Sequence, residues 1–132
     1  MSLDRMKPDK TKIAMSMYFM GQINILDTKT GNLKGFRLEN SIDFTSLGED
    51  PEKLLIYYID ICADDNYIYA LYVDKPFANG AGFDELGDII HILDWTGKPL
   101  HEIQLDKKVS QIAFDQQRGF IVYRFDVTSL FH

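Results

Sequence analysis

The chain has 132 residues, enough for one domain, and its 45% hydrophobic and 26% charged residues are the composition of a folded globular protein. Its formal net charge of −6 disfavours binding to nucleic-acid phosphates, and no apolar run reaches the roughly 18 residues of a helical membrane span. We therefore expect neither a nucleic-acid partner nor a transmembrane segment.

The N-terminal part of the chain predicts three strands. We expect residues 1–6 to be disordered or to derive from an expression tag. Apolar side chains at every second position predict a strand over 11–19, QINILD predicts a second over 22–27, and a third follows over 33–38. The polar connection 39–53 contains an Asp-Pro pair, which disfavours a helix and predicts a surface loop.

The centre of the chain predicts two hairpins. Runs rich in Ile, Tyr and Val at 54–63 and 67–73 flank a turn of Asp and Asn. The loop DKPFANGAGFDELG then follows, and it is longer than the roughly four to six residues of most connections. Strands over 88–94 and 99–105 form the second hairpin around the turn WTGK.

Two parts of the sequence occur twice. The hairpin predicted over 109–115 and 119–127 repeats the pattern of the one that begins at 54. GQINILDTKTGNLKGFRL recurs as GDIIHILDWTGKPLHEIQL, and we expect Asp27 and Asp94 to accept backbone N–H bonds in equivalent turns. The alignment places Ile23, Ile25, Asp27, Gly31 and Leu38 over Ile90, Ile92, Asp94, Gly97 and Leu105.

The repeated unit predicts the architecture. In DIIHILD both alternating sets of side chains are apolar, so both faces of that sheet require burial. A four-stranded unit that repeats at roughly 45 to 65 residues is typical of β-propeller blades, and closed propellers hold four to eight of them. We predict an all-β fold of antiparallel, four-stranded β-propeller-type blades, with one complete blade over about 54–105. Residues 1–132 then form a single partial domain, an incomplete ring of about two to three blades.

Three segments carry a family resemblance: KPDKTKIAMSMYFMGQINILDTKTG, DDNYIYALY and IHILDWTGKPLHEIQLDKKVSQIAFD. Together they resemble the TolB-like six-bladed β-propeller proteins, a group of bacterial envelope proteins that are often lipoproteins, from Lys7 to about Asp126. The resemblance implies a propeller fold and a periplasmic or cell-envelope location. Its motifs carry no catalytic signature, so no functional residue follows from them. The chain has no signal peptide or lipoprotein signal, which leaves a cytoplasmic location open.

The long loop after the central hairpin is the predicted binding region, because rigid blades commonly present ligand groups on irregular loops. Aromatic rings beside carboxylates suit a peptide, a cationic group or a carbohydrate. The alternatives are a solvated loop whose phenylalanines pack into the core and a turn tryptophan that packs at the edge. The candidate ligand-binding residues are Asp74, Phe77, Phe83, Asp84, Glu85 and Trp95.

The remaining polar residues predict no catalytic site, metal site or cofactor. Asp64-Asp65-Asn66 has the composition of a hairpin turn and lacks the spacing of a calcium loop. His91 and His101 can approach each other across a hairpin, yet zinc needs at least three protein ligands and no third is evident. Cys62, the single cysteine, has apolar neighbours that predict a buried, inert thiol.

These patterns favour a non-enzymatic binding or interaction module whose ligand they do not identify. Unpaired strand edges predict self-association, in which the terminal strand over 119–127 pairs across an interface. The alternative is a fragment of a propeller hydrolase or lyase that requires further blades, since propeller enzymes gather active-site residues from several blades.

Overall fold

The computed structural model describes residues 2–38, 55–76, 87–115, 117 and 120–124. These residues form ten β-strands, and none of them lies in a helix that could cross a membrane. The strands are β1 (Ser2–Met6), β2 (Lys12–Met17), β3 (Gln22–Asp27), β4 (Leu33–Arg37), β5 (Leu55–Ala63), β6 (Tyr67–Pro76), β7 (Gly87–Asp94), β8 (Pro99–Val109), β9 (Gln111–Asp115) and β10 (Phe120–Arg124).

The strands form three antiparallel sheets. The first sheet has the order β1-β2-β3-β4 and the second β5-β6-β7-β8, so each strand pairs with the next one in sequence, while β9 and β10 form a two-stranded sheet. The prediction of an all-β fold with antiparallel, four-stranded sheets is confirmed. The unit predicted over about 54–105 corresponds to the second sheet, whose last strand continues to Val109.

The first sheet contains a strand that the sequence pattern does not predict. Residues 2–6, which we expected to be disordered or tag-derived, form β1 and pair with β2, with Asp4 opposite Met15. The side chains of Asp4, Arg5 and Met6 are exposed, so this edge strand lacks the apolar alternation by which half-buried strands are recognised. Backbone pairing with β2 forms the strand instead.

Aspartate side chains close the hairpin turns. Asp27 Oδ1 accepts hydrogen bonds from the backbone N–H groups two and three residues later, at 2.9 and 3.1 Å. Asp94 Oδ1 accepts from those two and four residues later, at 2.9 and 3.1 Å, and Asp64 Oδ1 from those two and three residues later, at 2.7 and 2.6 Å. The predicted turn roles of all three aspartates are therefore confirmed.

Strands β5, β6 and β7 of the second sheet are buried on both faces, as the sequence predicts, whereas β8 is mostly exposed. On β6, Ile68 and Ala70 face the first sheet, whereas Tyr69 and Leu71 face β9, because alternate side chains of a strand point to opposite faces. Buried residues of the first core are Ala14, Ile23, Ile25, Tyr57, Tyr58, Ile61, Ile68, Ala70, Tyr72, Leu93 and Trp95. Those of the second core are Cys62, Tyr69, Leu71, Ile90, Val109 and Ile112.

The first strands of the three sheets lie side by side, since β5 contacts both β1 and β9. Asp60 of β5 joins them: its Oδ2 accepts a hydrogen bond from the backbone N–H of Ile112 at 2.8 Å, and its Oδ1 lies 3.7 Å from Arg5 Nη2. Asp60 is buried, so this carboxylate satisfies a donor that water does not reach. The polar link helps to hold the two cores in register.

Candidate functional site

A cleft of about 220 Å³ opens between the first sheet and the turn that joins β7 to β8. We call it the turn cleft. It is lined by Lys12, Ile25, Asp27, Asn32, Lys34 and Phe36 of the first sheet and its β3–β4 turn, and by Trp95 and Thr96 of the β7–β8 turn. Side chains from two sheets therefore meet in it.

Trp95 forms a fixed wall of the turn cleft. Its side chain is 6% exposed, and its Nε1–H donates to the backbone oxygen of Asp64 at 2.8 Å. Lys12 Nζ donates to the backbone oxygen of Trp95 at 3.3 Å, and Lys7 Nζ lies 6.0 Å from the ring centroid. These contacts hold the indole in place, and they leave only a small part of its surface for a ligand.

Phe36 forms the second aromatic wall and lies directly against Gly97. Gly97 has a φ of 89°, and a Cβ atom there would collide with the Phe36 ring. The glycine is therefore required twice, for the left-handed backbone of the turn and for the close approach of the ring. Phe36 of the first sheet therefore packs directly on the β7–β8 turn of the second sheet.

The polar groups of the turn cleft are two lysines, an aspartate, an amide and a hydroxyl. Backbone N–H donors of the β3–β4 turn, with the charge of Lys12 as a smaller contribution, hold the pKa of the Asp27 carboxyl below its ordinary value. Within the described part of the chain, the Lys34 ammonium and the Asn32 side-chain amide have no hydrogen-bond or ion-pair partner. These two groups are available to a ligand.

A second polar cluster lies on the face of the second sheet that packs on the first. Tyr58 Oη is 2.8 Å from His91 Nδ1, and His91 Nε2 is 3.1 Å from Glu102 Oε1. An ionised carboxylate only accepts, so Nε2 carries the imidazole proton and the Tyr58 hydroxyl donates to Nδ1. The Tyr72 ring stacks on the imidazole with centroids 4.3 Å apart.

Burial favours the neutral forms of His91 and Tyr58 in this cluster. It lowers the pKa of His91, against the opposing effect of Glu102, and it raises the pKa of Tyr58, which is 3% exposed. A neutral, buried phenol is a poor nucleophile. The Tyr58 hydroxyl and both imidazole nitrogens are engaged in hydrogen bonds within the cluster, so these polar groups satisfy one another in the sheet.

The two histidines of the β7–β8 hairpin do not approach each other, and that expectation is wrong. Glu102 lies opposite His91, and His101 lies opposite Ile92. Neighbouring positions on a strand point to opposite faces, so His91 and His101 are on different sides of the sheet. The described residues contain no group of three or more His, Cys, Asp or Glu side chains able to hold a metal ion.

The structure describes only one side chain of the predicted ligand-binding set, that of Trp95, and it places it in the turn cleft. The backbone of Asp74 lies in β6, but its side chain is outside the described part of the structure, as are Phe77, Phe83, Asp84 and Glu85 entirely. Residues 74–76 and 87, which were predicted to lie in the loop, belong to strands instead, because 75 and 76 pair with β5 and 87 pairs with β8. The binding role of the loop stays a prediction. Cys62 is buried, as predicted, and burial raises its pKa to about 12.

Sequence patterns did not indicate the other residues of the turn cleft. Phe36, Lys34 and Asn32 belong to an exposed edge strand and its turn, and each resembles an ordinary surface residue. Only the packing of one sheet on the other brings them to Trp95. Comparisons with protein-family models, curated proteins and solved structures find no match to this chain.

Proposed function

We propose that this protein is a non-enzymatic binding module built from β-propeller-type blades, and that the turn cleft holds its ligand, a carbohydrate or a peptide. The observation that carries the proposal is the convergence, in one cleft, of two aromatic walls with polar groups that have no partner among the described residues. Small-ligand sites combine apolar walls with a few placed polar groups in this way.

The sheet arrangement supports the blade interpretation. Both four-stranded sheets are simple antiparallel meanders, and the second is covered on both faces by its neighbours. The first strand of each sheet lies next to the first strand of the following one, which is the relation that blades have around a central axis. The two-stranded sheet of β9 and β10 corresponds to the beginning of a further blade.

Rigidity supports the choice of the turn cleft as the binding site. Trp95 is held by a hydrogen bond to Asp64, and Phe36 is held by its contact with Gly97. Walls that do not need to be ordered on binding lower the entropic cost of association. The cluster around His91, by contrast, is closed by Tyr58 and Tyr72 and favours no catalytic function.

A periplasmic or envelope location and self-association remain part of the proposal. The location depends on the TolB-like resemblance alone. Self-association follows from the β10 edge of a sheet that contains two described strands where the other sheets contain four. Light scattering at tens of micromolar protein should detect a dimer or larger assembly. Val122→Pro, which removes a backbone N–H donor from β10, should weaken that assembly. A stable monomer would exclude self-association.

The binding proposal can be tested with the protein itself. Carbohydrate and peptide arrays probed with the labelled chain should yield ligands of one class. The chain has a single tryptophan, Trp95, so titration of a positive ligand should change the intrinsic fluorescence from within the cleft. Retention of that binding after Phe36 is truncated would exclude the turn cleft as the site, and absence of any ligand would exclude the function.

Matched variants on one strand separate the cleft from the rest of β4. Phe36→Ala removes a cleft wall and should weaken binding by about tenfold or more, as truncation of a buried aromatic contact commonly does. Leu33→Ala removes an apolar side chain that is 57% exposed and does not line the cleft, so it should leave affinity unchanged. Asn32→Ala provides a milder probe if Phe36→Ala unfolds the protein.

A further inference from the structure

We infer that the ligand of the turn cleft is an acidic carbohydrate, a glycan that presents one carboxylate-bearing sugar ring such as a uronic acid. This inference rests on the proposed function and concerns the charge and shape of the ligand. Its starting point is the pair of lysines in a cleft of a protein whose formal net charge is −6.

The charges of the turn cleft leave one cation without a partner. Among the described residues, Asp27 is the only carboxylate that lines it, and its Oδ1 is occupied by two backbone N–H groups. The charge of Lys12 already acts on Asp27 and helps to lower its pKa. Lys34 has no ion-pair partner within the described part of the chain, so a ligand carboxylate would meet an uncompensated ammonium.

Lys12 can contribute a second donor to the same group. Its ammonium uses one N–H bond on the backbone oxygen of Trp95 at 3.3 Å, and an ammonium has three donors. Hydrogen bonds between an ammonium and a carboxylate are about twice as strong as neutral ones. Two lysines at one cleft therefore favour an anionic over a neutral form of the same sugar.

The remaining lining suits a sugar ring rather than a chain. Phe36 and the small exposed part of Trp95 offer apolar surface to the C–H face of a pyranose. The Asn32 amide can bond its hydroxyl groups, and the Thr96 hydroxyl, whose proton goes to Asp94, can accept from one. A volume of about 220 Å³ is below the roughly 300 to 1,000 Å³ of sites for drug-sized ligands. The cleft therefore fits a single ring of a glycan.

The test compares two sugars that differ only in the carboxylate. Oligogalacturonate and the matching neutral galactose oligomer are titrated against the full chain, with Trp95 fluorescence as the readout. We expect the acidic oligomer to bind about tenfold or more tightly, and its affinity to fall as salt screens the lysines. Equal affinities for the two sugars would overturn the inference and leave the proposed function standing.

Lysine variants locate the carboxylate. Lys34→Gln should weaken oligogalacturonate by about threefold to tenfold and weaken the neutral oligomer much less, since it removes the charge and keeps a polar side chain. Lys29→Gln, a like change on the exposed turn outside the cleft, should alter neither affinity. Unchanged oligogalacturonate binding by Lys34→Gln would refute the inference. A peptide ligand with no sugar binding would refute the inference alone, and the absence of any ligand would refute the proposed function too.

Discussion

The two four-stranded sheets have the same strand order and share a repeated sequence, yet their surroundings differ. Strands β5 to β7 of the second sheet are buried on both faces, with Leu71 of β6 fully inaccessible, while β8 is mostly exposed. In the first sheet, one face packs on the second sheet through Ile23 and Ile25, whereas β4 is exposed along most of its length. The second sheet holds most of the residues of both cores, and the exposed last strand of the first sheet supplies cleft residues.

The equivalent turns of the two sheets show the same contrast on a smaller scale. Gly31 and Gly97 follow aligned aspartates and have φ values of 75° and 89°. A Cβ at Gly31 would meet nothing within 4 Å, while one at Gly97 would collide with Phe36. The repeat therefore gives each turn an aspartate and a left-handed glycine, and the neighbouring sheet determines what the turn contacts.

The largest expected difference in stability is between truncation of a leucine in the core of the second sheet and truncation of a leucine on the exposed β4 of the first. Leu71→Ala should lower the free energy of unfolding by about 2 to 5 kcal/mol, because it leaves a cavity in a side-chain environment that is closed on all sides. Leu33→Ala, the same chemical change at a site 57% exposed, should change it by no more than about 0.5 kcal/mol. Urea denaturation measures both, and similar losses would contradict the exposure of β4.

The two turn glycines give the next largest expected difference. Gly31→Ala should cost about 1 to 2 kcal/mol, the strain of a left-handed backbone in a residue with a Cβ. Gly97→Ala carries the same strain, and displacement of the Phe36 ring should add about 1 to 3 kcal/mol. Thermal melts of the two variants should therefore differ, and matching melting temperatures would contradict the close contact of Phe36 with the turn.

Removal of the carboxylate that joins the second sheet to the third should have an intermediate effect. Asp60→Ala leaves the N–H of Ile112 without its acceptor, at a cost of about 1 to 3 kcal/mol. The distant and half-exposed Arg5 contributes little to this value. Asp4→Ala, on the exposed β1, is the control and should stay within about 0.5 kcal/mol in the same denaturation experiment.

The smallest expected effect is the pH dependence that arises from His91. Burial lowers its pKa in the folded protein below the ordinary value of 6.5, so the unfolded chain binds a proton more readily. The stability contribution is fully present above about pH 6.5 and is lost as the pH falls below it. Denaturation between pH 8 and pH 5 should show this decline in the parent protein.

Histidine variants assign the decline to one residue. His91→Gln should flatten the pH dependence between pH 8 and pH 5, because the glutamine does not titrate. His101→Gln, on the opposite and exposed face of the same hairpin, should leave it in place. An unchanged decline in His91→Gln would show that another group is responsible.

Strand positions were predictable where burial leaves a periodic pattern. The apolar alternation of β2 and β3 and the apolar run of β7 predicted strands close to the observed ones. β1 escaped prediction because its exposed side chains carry no such pattern. The expectation that His91 and His101 approach each other was wrong for a related reason. The hairpin pairs His101 with Ile92, and a shift of one residue in the pairing moves a side chain to the other face of the sheet.

The sequence by itself determined the local features of this protein, which are its antiparallel strands, its aspartate-closed turns and the two apolar faces of its second sheet. Each of these depends on side chains a few residues apart, so alternation and turn chemistry reveal them. The turn cleft was decided only by the tertiary structure. Phe36 and Trp95 belong to different sheets, and the packing that unites them depends on contacts between residues far apart in the chain.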